Sequence, residues 1–331
     1  MKVIVDKAIP FIEGALEPHA EVEYIDGTEF SAARVEDADI LIVRTRTRCD
    51  KALLEGSAVK HIATATIGFD HIDLEYCKSR GISISTAAGC NARGVLHWLA
   101  AALVALAGEE GFAPKDRTLG IVGVGNVGSL VKEHAEHWGF KVLCCDPERQ
   151  AADPSLGFVS LEELAQKADI ITLHTPLSKE TYHMIGSKIL GGAARGKTII
   201  NSSRGEVIDG KALLDSNSRY ILDVWENEPN INRDLLAGAT RATYHIAGYT
   251  LQGKVAATRM SLEAVAERFS LDIKIPDCGA KQQTKRSLDW NELCATIKKH
   301  IDLEAESYLL RSHAEEFEQL RSKYIYREEY F

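Results

Sequence analysis

Three stretches in the second half of the chain hold side chains whose types belong together chemically. NSSRGEVID carries Arg204, LDVWENEP carries Asp223 and Glu228, and YHIAGYT carries His245. An arginine fork suits a carboxylate, a histidine can take or give a proton near neutral pH, and an acid beside the histidine orients and tunes it. Arg, Glu and His are the set that hydride transfer from a hydroxy acid needs: a cation for the carboxylate, a base for the hydroxyl proton and a partner for the base. Taken singly, Arg204 reads equally as a turn arginine, Glu228 as a loop acid before Pro229 and His245 as a strand-end histidine. Their joint placement at successive expected strand ends favours chemistry, because open α/β sheets hold ligands there.

A second constellation concerns a cofactor. LGIVGVGNVGSLVKEHAEHWGFKVLCCD sets Gly123, Gly125 and Gly128 in G-x-G-x-x-G spacing after an apolar strand, with Asn126 and Val127 inside the turn and a helix beginning there. Glycines permit the tight turn and the close approach of a pyrophosphate, and the helix N-terminus offers free amides and a positive dipole end. Asp146 follows Gly128 by 18 residues at the end of the next expected strand. A carboxylate there takes the adenosine ribose hydroxyls and repels a 2′-phosphate, so the expected dinucleotide is NAD. The bland alternative is a glycine-rich turn without a ligand.

LIVRTRTRCD raises a separate question. An extended chain would put Arg44, Arg46 and Arg48 on one side, with Thr45 and Thr47 on the other. Such a row is either a solvated strand end or an anion site, since guanidinium groups suit carboxylate and phosphate.

The elements that must position these groups follow from periodicity. VIVD, DILIVR, HIATAT and ISIST read as strands separated by helical patterns, with an acidic helix expected after VIVD. A long helix from Asn91 leads into a second series of LGIVGVG, KVLCCD, ADIITLHTP, KTIINSS, SRYILDVW and ATRATYHIA. Strands alternating with helices give parallel sheets, so the fold class is α/β with two Rossmann-like, doubly wound domains. The expected bounds are 1–92 with 251–271 for a flavodoxin-like substrate-binding domain and 93–250 for the NAD-binding domain. LQGKVAATRMSLEAVAERF should return to the first domain, and a small α+β region at 272–331 ends in a charged amphipathic helix pattern. A chain of two units with its site between them suits hinge closure around a hydride.

Composition narrows the function class. With 331 residues, 45% hydrophobic and 26% charged, this is an ordinary globular chain longer than one typical domain. A formal charge of −9 argues against nucleic-acid binding, so anion binding must be local. MKVIVDKAIP reads as a first strand and not as a targeting segment, and Val95 to Ala107 is too short to cross a membrane. Cys49, Cys77, Cys90, Cys144, Cys145, Cys278 and Cys294 are scattered without a CxxC pair, which suits reduced thiols in the cytoplasm. No metal site is expected.

ATATIGFDHIDL, GIVGVGNVG with Asp146, LHTPL, NSSRGEVID, LDVWENEP and HIAGYT resemble the signatures of the D-isomer-specific 2-hydroxyacid dehydrogenase family over residues 1 to 270. The resemblance implies that Arg204 holds the substrate carboxylate and carbonyl oxygen, His245 gives and takes the proton, and Glu228 raises the basicity of His245. It places Thr175, Asp223 and Gly248 at the nicotinamide half of NAD. AAGCNARGV, HIAGYTLQGK and the extra C-terminal region are most similar to members that act on a phosphorylated four-carbon 2-hydroxy acid on the way to pyridoxal 5′-phosphate. That likeness implies a homodimer and substrate contacts from Thr45, Thr66 and Tyr249. Arg44, Arg46 or Arg48 would then meet the phosphate. Three features depart from that pattern: Arg46 is reminiscent of members acting on 3-phosphoglycerate, Tyr244 stands where the family has a proline that fixes the loop before the histidine, and the turn after LHTPL and the C-terminal region are shorter than in that pattern. An NAD(H)-responsive binding protein without turnover is the non-enzymatic alternative.

Overall fold

The computed structural model describes residues 1–275 and 287–331. The chain divides into two compact units, Met1–Asn91 with Thr250–Gln282, and Ala92–Tyr249 with Gln283–Phe331. Cys278 and most of the turn-rich stretch expected after residue 272 lie outside the described residues.

The first unit holds five parallel strands, β1 (Lys2–Asp6), β2 (Glu21–Ile25), β3 (Ile40–Val43), β4 (His61–Thr64) and β5 (Ser83–Thr86), in the order β2-β1-β3-β4-β5. The central strands read as unbroken apolar runs because both faces are covered. Ile4, Leu41, Val43 and Ile62 pack with Val35, Leu53, Leu54 and Cys77. The alternate residues Val3, Val5, Ile40, Ile42 and Ala63 pack with Leu262 and Val265 of the returning helix Leu251–Phe269.

Here two expectations change. The acidic segment after β1 forms turns and not a helix, although Ile9, Ile12 and Leu16 still bury their side chains against the sheet. EVEYI, which carries two glutamates, is the edge strand β2, and its exposure runs from open at Glu21 to buried at Ile25.

In the second unit β6 (Thr118–Val122), β7 (Lys141–Cys145), β8 (Ile170–Leu173), β9 (Thr198–Asn201), β10 (Arg219–Leu222) and β11 (Arg241–Ala242) form a parallel sheet. Their order is β11-β10-β9-β8-β6-β7, so the chain reverses direction across the sheet at β6. Such a switch point is where doubly wound sheets take a dinucleotide. The helix Ala92–Glu110 buries Leu96, Leu99 and Leu103 against Leu119, Ile121, Ile170, Ile200 and Ile221 on one face. Val122, Ile171, Leu173, Ile199 and Leu222 face the opposite layer.

The C-terminal residues join this unit on both faces. Leu293, Ile297, Leu303 and Phe331 enter one core cluster, and Leu310, Ala314 and Phe317 the other. The continuous amphipathic pattern is broken at His313 into helices Leu303–Ser312 and Phe317–Lys323, and no strand occurs among the described residues 287–331. Among the described residues, no helix is long and apolar enough to cross a membrane.

Candidate active site

Five groups of the sequence reading stand just beyond the carboxyl ends of parallel strands in the second unit: Gly123 after β6, Asp146 after β7, Thr175 after β8, Arg204 after β9 and Asp223 after β10. His245 follows β11, which is shorter than expected. Parallel winding therefore collects them on one edge of the sheet.

The glycine turn has the shape the spacing implies. Gly123 has φ +84°, and a Cβ there would lie 2.8 Å from the His174 carbonyl and 2.9 Å from Thr175 Cγ2. A Cβ on Gly128 would lie 2.0 Å from the Gly123 oxygen, so the turn and helix pack backbone to backbone. Gly125 is the opposite case: it caps the helix Asn126–Trp138, and a Cβ there would meet nothing within 4 Å. Thr175 Oγ1 is buried without a hydrogen-bond partner among the described residues. Open space over helix amides and an unsatisfied hydroxyl at the switch point fit a dinucleotide pyrophosphate and its neighbouring groups. Asn126 and Val127 open the helix at this edge.

Asp146 stands beside the glycine turn. Its carboxylate accepts from the Val124 amide at 2.9 Å and the Arg149 amide at 3.0 Å, one on each oxygen, which leaves a second lone pair on each. Arg149, absent from the sequence reading, donates its guanidinium to the Val124 carbonyl and to Ser129 Oγ at 3.2 Å, bracing the turn.

A carboxylate–histidine pair joins the loop after β10 to the loop after β11. His245 Nδ1 lies 2.8 Å from Glu228 Oε2, and the Trp225 amide donates to Glu228 Oε1 at 2.9 Å. Burial alone would push the Glu228 carboxyl up, but the His245 and Arg321 charges and the hydrogen bonds outweigh it and leave it below the usual carboxylate range. With Nδ1 engaged, Nε2 is the ring atom available for proton transfer.

His245 itself sits at φ +61°, a left-handed conformation that a non-glycine residue holds only when its surroundings dictate it. Asp223 supplies that constraint. It is 1% exposed, accepts from the Ile246 amide at 2.8 Å and the Ala247 amide at 2.9 Å, and takes the Thr243 hydroxyl at 2.6 Å. Trp98 Nε1 donates to that hydroxyl at 3.0 Å, and the His245 amide donates to the Asp223 carbonyl at 2.7 Å. Burial raises the Asp223 carboxyl.

Tyr244 is fixed by means other than a proline ring. Its side chain is buried, and its hydroxyl donates to Glu306 on the helix Leu303–Ser312. Arg327 donates to the carbonyls of Gly94, Ile246, Ala247 and Tyr249, so the loop bearing Gly248 and Tyr249 is held from the C-terminal side as well. These C-terminal partners were not foreseen.

Arg204 caps a short turn in which its guanidinium donates to the Ser203 carbonyl at 2.8 Å and its carbonyl accepts from Asn201 Nδ2 at 2.8 Å. The next residue has to be glycine. A Cβ on Gly205 would lie 1.9 Å from the Trp225 carbonyl carbon, so the turn bearing Arg204 touches the backbone that leads to Glu228.

In the first unit the arginine row is not an extended strand. β3 stops at Val43, and the Thr47 amide donates back to the Arg44 carbonyl at 3.1 Å. Two anchors cause the turn: the Thr47 hydroxyl, buried, donates to the Gly27 carbonyl at 3.0 Å, and Arg44 forks onto the fully buried Asp6 at 2.9 and 3.3 Å. The side chains of Thr45, Arg46 and Arg48 are exposed, with Arg48 3.0 Å from Asp50. Thr66, beyond β4, shares a 2.6 Å hydrogen bond with Thr64, which also lies 3.2 Å from His71 Nε2.

Comparison with known proteins places this geometry in a family. Residues 98–247 match the NAD-binding domain of the D-isomer specific 2-hydroxyacid dehydrogenases. The erythronate-4-phosphate dehydrogenase of Bacteroides fragilis is 45% identical, the match covering 99% of this chain and 97% of that one. Its counterpart in Citrobacter koseri is 38% identical over 100% of this chain and 92% of its own. Among solved structures, NAD⁺-bound 3-phosphoglycerate dehydrogenase of Entamoeba histolytica aligns with a TM-score of 0.69 at 29% identity, covering 84% of this chain and 99% of that one. D-Lactate dehydrogenase of Aquifex aeolicus, with NAD and lactic acid, shares the fold at a TM-score of 0.68 and 24% identity, covering 82% and 96%. With a glycine turn that fits the dinucleotide and near-full-length relatives of one kind, the chain belongs to the NAD-dependent D-isomer-specific 2-hydroxyacid dehydrogenases.

Proposed function

We propose that this dehydrogenase oxidises the C2 hydroxyl of 4-phospho-D-erythronate to 2-oxo-3-hydroxy-4-phosphobutanoate, a step toward pyridoxal 5′-phosphate. The observation that carries the reading is the His245–Glu228 pair, whose engaged Nδ1 leaves Nε2 for the substrate, in a chain whose relatives at 38–45% identity bear the corresponding name. Arg204 holds the substrate carboxylate and the oxygen at C2. His245 takes the hydroxyl proton at Nε2, and Glu228 stabilises the imidazolium that forms. Bound NAD supplies the hydride acceptor. The glycine turn with Asn126 and Val127, Asp146, Thr175, Asp223 and Gly248 would hold it.

Thr45, Thr66 and Tyr249 complete the substrate contacts in this reading. Arg46 or Arg48, exposed on the turn after β3, would meet the phosphate in this reading, Arg48 from beside Asp50, while the Arg44 guanidinium forks onto the buried Asp6. We also propose a homodimer built on the C-terminal helices, supported by Tyr308 and Ile325, which are 74% and 87% exposed. Residence in the cytoplasm is supported by free thiols at all six described cysteines.

The test is reduced-nicotinamide fluorescence of the purified protein with NAD and 4-phospho-D-erythronate, with 3-phosphoglycerate in parallel. A rise with the erythronate ester alone is expected. A rise with phosphoglycerate alone would reassign the substrate, and silence with both in a protein that binds NAD would favour an NAD(H)-responsive binding role.

A further inference from the structure

Helix Phe317–Lys323 contributes one side chain that reaches the acid–base pair. Arg321 is 19% exposed at its side chain, and its Nη1 stands 3.9 Å from Glu228 Oε2, the same oxygen that lies 2.8 Å from His245 Nδ1. Its Nε donates to the Tyr249 hydroxyl at 2.9 Å, with the guanidinium carbon 5.8 Å from the centre of the tyrosine ring. One guanidinium thus touches the partner of the proton-transferring histidine and a residue assigned to the substrate.

The electrostatic consequence follows from the shared oxygen. Glu228 faces two cationic partners, one permanently charged and one that titrates, and what the carboxylate gives to the first it cannot give wholly to the second. The other charged and titratable groups around the pair are Asp223 beyond β10, Tyr244 and Tyr249 on the histidine's own loop, and Glu306, Glu318, Tyr324 and Arg327 from the C-terminal segment. Of these, Glu318 lies 3.5 Å from Arg321 Nη1, Glu306 is taken by Tyr244, and Arg327 is spent on backbone carbonyls. Arg321 is the cation placed to balance Glu228.

We propose that Arg321 is a positioning residue of the proton-transfer pair: it fixes the Glu228 carboxylate and the Tyr249 ring, and it restrains how tightly the carboxylate holds a proton on His245. The proposal rests on the reading of His245 as the base. Without Arg321, Glu228 would favour the protonated imidazole more strongly, and oxidation, which needs the neutral ring, would require a higher pH.

The experiment is the pH profile of kcat/KM for 4-phospho-D-erythronate oxidation in native enzyme, Arg321→Gln and Arg321→Lys, with NAD affinity measured for each. Arg321→Gln should bind NAD within about twofold of native, lose about tenfold in kcat, and show its acid limb displaced upward by about half a pH unit to one unit. Arg321→Lys, which keeps the charge but not the fork, should keep the native limb with a smaller loss of kcat. An acid limb unmoved in Arg321→Gln, at native NAD affinity, overturns the proposal. Should Arg321→Gln fail to fold, a limb displaced in Arg321→Lys overturns it, because charge would then not be the cause. Failure of the underlying reading looks different: native enzyme that does not oxidise the substrate, or a His245→Ala enzyme that still does.

Discussion

Both units wind a parallel sheet in the same sense, yet they treat the residues beyond their strand ends in opposite ways. In the second unit those residues are over-determined. Asp223 spends both carboxylate oxygens on the loop that carries His245, Glu228 is held by an amide, a histidine and an arginine, and Arg327 ties down carbonyls of the same loop. In the first unit the turn after β3 is anchored at Thr47 and at the Arg44–Asp6 pair, while the side chains of Thr45, Arg46 and Arg48 are exposed, Arg48 against Asp50. The proposed proton transfer draws on the first kind of residue, where a fraction of an ångström matters. The proposed phosphate contact draws on the second kind, side chains exposed on a turn.

The largest expected effect strikes the rigid edge. His245→Ala should lower kcat by about 10²- to 10⁴-fold while NAD affinity stays within about twofold, because the general base is lost and the glycine turn is untouched. Stopped-flow reduction of NAD alongside an NAD titration reads both quantities, and retained turnover would remove His245 from the chemistry.

Two arginines two residues apart sharpen the contrast within the first unit. Arg44→Ala leaves the Asp6 carboxylate buried and unpaired, and should cost about 3 kcal/mol of stability in urea unfolding. Arg46→Ala should leave the unfolding midpoint in place but weaken 4-phospho-D-erythronate about tenfold relative to D-erythronate. Equal losses on the two compounds would take Arg46 out of the phosphate site.

The smallest effect is one the units should share. Burial lowers His61 in the first unit to about 4 and His97 in the second to about 3, against about 6.5 in an unfolded chain. Below pH 6.5 the unfolded chain takes up protons that the folded one refuses, so stability is full above that pH and falls toward pH 4 and below. At pH 6 each histidine should cost on the order of 1 kcal/mol. A urea midpoint that does not fall between pH 7 and pH 5 would contradict this, and two separated transitions would show that the units do not respond alike.

Much of this arrangement was legible in sequence because it is local. Apolar runs such as ILIV and TIIN announce strands covered on both faces, and the glycine spacing announces a backbone shape that no other residue permits. EVEYI was missed because an edge strand need bury little, and its glutamates hide the pattern. The arginine row deceived for the reverse reason: its period of two suggests a strand, but the Gly27 carbonyl and the Asp6 carboxylate, both distant in sequence, bend the chain at Thr47 and Arg44. Arg204, Glu228 and His245 could be found as types at strand ends. Arg321 and Arg327 could not, since nothing near them in sequence signals that they serve a loop some eighty residues earlier.

Gly205 carries a different lesson. Its missing side chain lets two loops meet face to face, one presenting Arg204 and the other leading to Glu228. The spacing between the two functions is thus set by an atom that is not there, like a gauge whose zero is bare contact. Any side chain at this position, however small, would act as a shim, moving the Arg204 turn away from the Glu228 loop by roughly a bond length. The exposed turn after β3 can be altered in graded steps, but this clearance cannot, because the smallest step up from glycine is already too large.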